Sequence, residues 1–132
     1  MPLLRFDLIE GRSEAEITKL LDAAHDAVLK ALNAPERDRF QIVHQHPAHE
    51  MVVQDTGLGI ERSKDVVFIS IVSLPRPDDV KQALYKALVN ELHTQCGIAP
   101  NEVMISMVSN TMSDFSFGFG EAQFLNGELA QR

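Results

Sequence analysis

Residues 65–109 read DVVFISIVSLPRPDDVKQALYKALVNELHTQCGIAPNEVMISMVS, and the order of patterns in this stretch decides the fold. Its run VVFISIVSL, residues 66–74, is β-branched and apolar over a length that suits a strand. Pro75-Arg76-Pro77-Asp78 then turns the chain into a helix whose Val80, Ala83, Leu84, Ala87, Leu88 and Leu92 fall on one face. Gly97 supplies the helix C-cap, and Pro100 leads into a strand from Val103 to Val108. The stretch is one β-α-β unit.

The same order occurs upstream. Residues 2–9, PLLRFDLI, are short and apolar, and Gly11 and Ser13 follow as a turn and a helix N-cap. Ser13 with Glu16 has capping-box spacing, and Ile17, Leu20, Leu21, Ala24, Val28, Ala31 and Leu32 recur at helical intervals. Ala34-Pro35 stops this helix near Asn33, and FQIVHQH, residues 40–46, makes a second strand closed by Pro47. Two crossover units, roughly 2–46 and 65–109, predict an α/β (α+β) chain with one four-stranded mixed sheet and both helices on one face. The whole of 1–132 is expected to be a single domain with a tail over 110–132. The linker from Met51 to Lys64 reads as an excursion, with a short strand as one option.

Composition removes several classes of function. Twelve Lys and Arg against nineteen Asp and Glu give a net charge of -7, the wrong sign for a protein that binds by neutralising nucleic-acid phosphates. No apolar run reaches the ~20 residues of a membrane helix, and the charged opening MPLLRFDLIEGR does not read as a secretory signal. Cys96 stands alone, so no intrachain disulfide forms and a cytoplasmic location is expected.

Pro2 has chemical potential. A small residue at position 2 is the usual condition for removal of the initiator methionine, and the product is a free secondary amine, both base and nucleophile. Taken alone, Pro2 is an ordinary residue near a terminus. The tail DFSFGFGEAQFLNGEL places Phe115, Phe117, Phe119 and Phe124 within ten residues, a density that predicts cover for a pocket or a neighbouring subunit.

PLLRFDLIEGRSEAEI, LNAPERDRFQIV, DTGLG, SLPRP, CGIAPNEV and DFSFGFGEAQFLNGEL, in this order, resemble the tautomerase superfamily, and within it the malonate semialdehyde decarboxylases and their homologues. The resemblance covers nearly the whole chain. It implies a homotrimer of tautomerase-like chains, a pocket at each Pro2, no cofactor, and a small carboxylate-bearing oxo acid as substrate. It also implies that Asp38 assists the proline and that Arg76 binds the substrate carboxylate. The decarboxylases carry Arg-Pro-Arg where this chain has Leu74-Pro75-Arg76, so one anion-binding arginine is replaced by an apolar side chain. That change favours a larger or aromatic substrate. Arg12 matches a carboxylate-binding arginine of the short tautomerases, with a helix-start surface role as the alternative; their other arginine falls at Phe40. Phe115, Phe117, Phe124 and Leu129 match the hydrophobic wall of the decarboxylase pocket, with core or subunit packing as the alternative.

Other constellations are weaker. His44, His46 and His49 form H-x-H-x-x-H with no acidic or cysteine partner at an obvious matching position, so no metal site is expected. DTGLG lacks the spacing of a dinucleotide-binding loop and reads as a turn. Cys96 reads as a packing residue, and Arg37 and Arg39 as partners for Glu36 and Asp38. The resulting expectation is a keto-enol tautomerase for a 2-oxo acid, of which an aryl one resembling phenylpyruvate is one form. Here Pro2 shuttles the proton, Asp38 orients substrate or water, and Arg76 holds the carboxylate. The rivals are decarboxylation or hydration of a 3-oxo acid, and a trimeric binding protein without turnover.

Overall fold

The computed structural model describes residues 2–129. The elements are β1 (Pro2–Ile9), α1 (Glu14–Leu32), β2 (Phe40–His46), β3 (Val67–Ser73), α2 (Asp78–Cys96) and β4 (Val103–Ser109). Three single 3-10 turns lie outside them. The sheet runs β2-β1-β3-β4, with β1 parallel to β2, β3 parallel to β4, and β1 antiparallel to β3 at the centre. Each parallel pair is joined by its own helix, as a crossover requires. The two predicted units therefore meet through their first strands.

Alternation along the strands explains the layers. Leu4, Phe6 and Leu8 of β1 and Val67, Ile69 and Ile71 of β3 point to one face, where α1 contributes Leu20 and Val28 and α2 contributes Leu84, Leu88 and Leu92. Ala23, Ala24 and Ala27 are fully buried and let α1 pack close. Truncating Phe6 at the middle of this core to alanine costs about 3–5 kcal/mol. Between the helices, Lys30 donates to Glu91, and Gln95 Nε2 donates to both Glu91 and Asp26 Oδ2, the latter at 3.0 Å. Both the ion pair and the amide hold the Glu91 carboxyl below the ordinary carboxylate range.

Local chemistry sets the ends of the helices. The Ser13 side chain accepts from Glu16 N at 3.1 Å and the Glu16 carboxylate accepts from Ser13 N at 2.9 Å. Asn33, at φ 51°, closes α1 before Pro35 is reached. Gly97, at φ 69°, closes α2 by donating to His93 O at 3.0 Å, and Ile98 N donates to Leu92 O. No helix among the described residues is long and apolar enough to cross a membrane.

Two local expectations change. The strand expected over 66–74 is one residue shorter at each end, so Leu74 leaves the sheet and turns its side chain elsewhere. The linker contains no strand among the described residues. In it, the Asp55 carboxylate accepts from Gly57 N at 3.1 Å and Ile60 N at 2.9 Å, folding DTGLG on itself rather than extending it. Glu102 then accepts from Ser63 N at 2.8 Å and anchors the linker beside β4.

No helix among the described residues lies on the second face of the sheet. By alternation it presents Leu3, Arg5 and Asp7 of β1 and Phe40, Ile42, His44 and His46 of β2, and on β4 it presents Met104 and Val108. Phe40, Ile42, Met104 and Val108 are exposed there. The described part of the C-terminal tail packs at the end of this face where β1 begins.

Candidate active site

Pro2 starts β1, one of the two central strands, and is fully buried. It lies opposite Ser73, the last residue of β3. On its other side, the parallel register that pairs Leu3 with Phe40 puts Pro2 level with the chain entering β2. The strand order thus brackets Pro2 between two short segments: 35–39 ahead of β2, and 74–77 after β3.

The first segment is held firmly. His25, buried on α1, donates from Nε2 to Glu36 O at 2.8 Å, and Asp38 N donates to Pro35 O at 2.9 Å. This turn buries Asp38 to 7% exposure. Arg39 is drawn away toward α1: its guanidinium donates to Asp22 Oδ1 at 2.7 Å and its Nε to Gln41 Oε1 at 2.8 Å. The expected pairing of Arg39 with Glu36 or Asp38 is therefore replaced by one to Asp22, because α1 runs alongside the start of β2. Arg37 makes no hydrogen bond or ion pair to any described residue.

The second segment divides in two. Leu74 is buried against Phe124, with Leu3, Met112, Phe115, Phe117 and Leu129 around them. Arg76 instead turns back, its Nε donating to Ser73 Oγ at 3.4 Å. The side chain that replaces an arginine at position 74 has become part of an apolar cluster.

The tail builds the wall. Phe115 and Phe117 stack with centroids 5.8 Å apart, and Phe124 meets both edge-on at 5.8 and 5.4 Å. Phe40 joins at 5.7 Å from Phe117. Gln123 fixes the loop by accepting from Phe117 N at 2.9 Å and donating to Gly118 O at 3.0 Å. Gly118 and Gly120 allow the reversal between them, at φ 151° and 67°.

These parts enclose a cavity of about 300 Å³. Phe40, Phe117, Phe124 and Leu129 form its apolar lining, and Arg37, Asp38, Gln123 and Glu128 supply its polar groups. An apolar lining with a few converging polar groups is the usual make-up of a small-molecule site. Asp38, Phe117, Phe124 and Leu129 of the expected site therefore come together, and Leu74 and Phe115 back them. Pro2 and Arg76, at the strand ends, are not in its wall. Arg12 lies past the far end of β1, about 25 Å of strand away. There it donates to Asp65 O at 2.7 Å and lines a separate cavity with Lys64 and Cys96, so one chain does not bring it to Pro2.

Sequence reasoning missed Arg37, Gln123 and Glu128 as lining residues and treated Phe40 only as a lost arginine. Phe40 was findable, since it opens the strand that runs beside the start of β1, paired with Leu3; Gln123 and Glu128 depend on how the tail folds back. The histidines also differ from expectation. His44 and His46 share the uncovered face as predicted, and an acidic partner does exist: His46 Nε2 donates to Asp7 Oδ1 at 2.7 Å, with His44 Nδ1 3.9 Å from the same atom. The partner lies on the neighbouring strand, where sequence spacing does not reveal it. Among the described residues no group of three or more His, Cys, Asp or Glu could hold a metal ion. Burial raises the Cys96 thiol, and Lys19 and Arg12 offset this only in part.

Comparison with known proteins places this architecture. A family described as "Tautomerase enzyme" matches residues 38–118, and a second with the same description matches residues 2–61. The chain is 51% identical over 129 residues to a probable tautomerase, YrdN, of Bacillus subtilis (strain 168), covering 98% of this chain and 100% of that one. A solved malonate semialdehyde decarboxylase superposes with a TM-score of 0.95 at 48% identity, covering 97% of this chain and 99% of that one. Another, solved inhibited by 3-bromopropiolate, gives 0.94 at 39%, covering 98% and 99%. A fused 4-OT solved as a symmetric trimer shares the fold at a TM-score of 0.72 and 24% identity, with 90% and 94% covered. With its duplicated β-α-β frame, buried Pro2 and family matches along the chain, this protein belongs to the tautomerase family.

Proposed function

We propose that this protein is a cofactor-independent keto-enol tautomerase acting on a 2-oxo acid, and that an aryl 2-oxo acid of the phenylpyruvate kind fits it best. The observation that carries the reading is buried Pro2 between the Asp38 turn and the Ser73 strand end, with Asp38 and Phe40, the partner of Leu3, in the wall of an aromatic cavity. After loss of Met1 the Pro2 nitrogen is the base. It removes a proton from the carbon next to the ketone, and the electron pair moves onto the ketone oxygen to give the enolate. Protonation of that oxygen by water oriented at Asp38 gives the enol; the hydroxide left behind takes the proton from the Pro2 ammonium, which restores amine and water, and the reverse path restores the ketone. Arg76, held on Ser73, supplies positive charge for a carboxylate or the enolate oxygen on that side. The phenylalanines exclude water, which strengthens each of these charge interactions.

The apolar residues exposed on the second sheet face support assembly through that face as a homotrimer, the form in which the fused 4-OT was solved. Decarboxylation or hydration of a 3-oxo acid is the second reading, favoured by the 48% identity to a malonate semialdehyde decarboxylase. In it a protonated Pro2 polarises the carbonyl. Buried Leu74 weighs against it, since it offers nothing to an anion. The test is Pro2→Ala assayed on enol-phenylpyruvate: the tautomerase reading expects a fall of about 100-fold or more, in the range of lost general acid-base catalysis. Equal activity in parent and variant would leave the binding-protein reading.

A further inference from the structure

We infer that Arg37 binds the substrate carboxylate and is the residue that makes this cavity select acids, an inference that rests on the tautomerase reading above. A carboxylate that leaves water for a cavity lined by phenylalanines loses its hydration and needs a cation in return. Arg37 is the only cationic side chain among the described residues lining this cavity. Arg12 donates to Asp65 O at the far end of β1, and Arg76, whose Nε donates to Ser73 Oγ, stands on the β3 side; neither is in the cavity wall. Arg39, two residues on from Arg37, is held by Asp22 and Gln41. Arg37 has no hydrogen bond or ion pair to a described residue, so its planar fork is available for a bidentate acid contact.

The backbone beneath Arg37 is already ordered. His25 holds the carbonyl of Glu36 before it and Pro35 O holds the amide of Asp38 after it, so the ordering cost of binding falls on the Arg37 side chain alone. The remaining charges in the wall are acidic. Asp38 lies in it, and so does Glu128, whose Oε1 accepts from Asn126 Nδ2 at 2.9 Å. Arg37 is the one positive charge in the described wall, and acid selection depends on it. The topology gives this contact a direction. β1 lies between β2 and β3, so Arg37 approaches Pro2 from the β2 side and Arg76 from the β3 side. Leu74 removes charge on the β3 side, and Arg37 supplies it on the other. The carboxylate is then held at Arg37, with the ketone oxygen turned toward Arg76.

A matched, unreactive pair of probes separates charge from shape. Phenylacetate and phenylacetamide are titrated by calorimetry into the wild type, Arg37→Gln, Arg37→Lys and Pro2→Ala. The wild type is expected to prefer the acid. Arg37→Gln should weaken phenylacetate by about tenfold or more, the range of a lost hydrogen bond to a charged group, and leave phenylacetamide unchanged. Arg37→Lys, which keeps charge without the fork, should fall between. An unchanged acid-to-amide ratio in Arg37→Gln overturns the inference, as does a wild type that binds both probes equally. Pro2→Ala should retain the preference. If that variant also retains turnover, the tautomerase reading fails while the acid site at Arg37 stands.

Discussion

Pro2 faces Ser73 across the antiparallel pairing of β1 and β3, and the Ser73 hydroxyl accepts from Arg76. The residue with the unusual amine and the residue that positions a cation are thus cross-strand neighbours, although 71 positions separate them in sequence (73 − 2). Duplication explains the meeting. Each unit contributes its first strand to the centre of the sheet, and antiparallel pairing sets the end of one beside the start of the other.

Leu74→Arg restores the second arginine on the β3 side. Decarboxylation of a 3-oxo acid, followed as CO2 release, should rise by at least about tenfold, the gain from one charge-assisted contact. The guanidinium replaces a side chain buried against Phe124, so the variant should also lose about 1–3 kcal/mol of stability in urea denaturation. Unchanged CO2 release would contradict the role given to Leu74.

Phe124→Ala removes the ring that meets both Phe115 and Phe117 edge-on. The KM for an aryl 2-oxo acid should rise about tenfold, while that for pyruvate changes little, because only the aryl group uses the wall. Equal effects on both substrates would make Phe124 a packing residue alone.

Stability should fall in acid through Glu91. Its carboxyl is held below the ordinary value of 4.5 chiefly by Lys30 and then by Gln95, so its contribution is present above that value and is lost as pH drops through the lower folded value. The Lys30 ammonium is raised by the same pair, so its share is present below the ordinary 10.5 and is lost as pH climbs through the raised folded value. Urea midpoints across the acid range should decline less steeply in Glu91→Gln than in the wild type. Identical slopes would remove Glu91 from the account.

Cys96 should be a slow thiol. Burial raises it above its ordinary 9.0, so at pH 8 iodoacetamide should label the folded protein several times more slowly than the urea-unfolded chain. Equal rates would show that Lys19 and Arg12 cancel the burial.

The fold was legible because each element carries local cues: Ser13 and Glu16 at one helix start, Gly97 at one helix end, and period-two and period-3.6 hydrophobicity between. What could not be read were relationships across strands. Asp7 meets His46 only because β1 and β2 run parallel in one register, and Arg12 and Pro2 lie apart because they flank the same strand. The site was half legible. Asp38 and the tail phenylalanines came from family resemblance, whereas the availability of Arg37 follows from what Arg39 and His25 hold in place, which spacing does not encode.

The central claim is that Pro2 carries the reacting proton, and a pH titration of its nitrogen by NMR on ¹⁵N-proline-labelled protein tests this most directly. The account predicts one proline nitrogen that titrates in the neutral range, as a base working there requires. A nitrogen that stays protonated well above that range would point instead to a cationic acid and to decarboxylation or hydration. Absence of any titrating proline amine would mean that Pro2 is blocked, and would contradict the account.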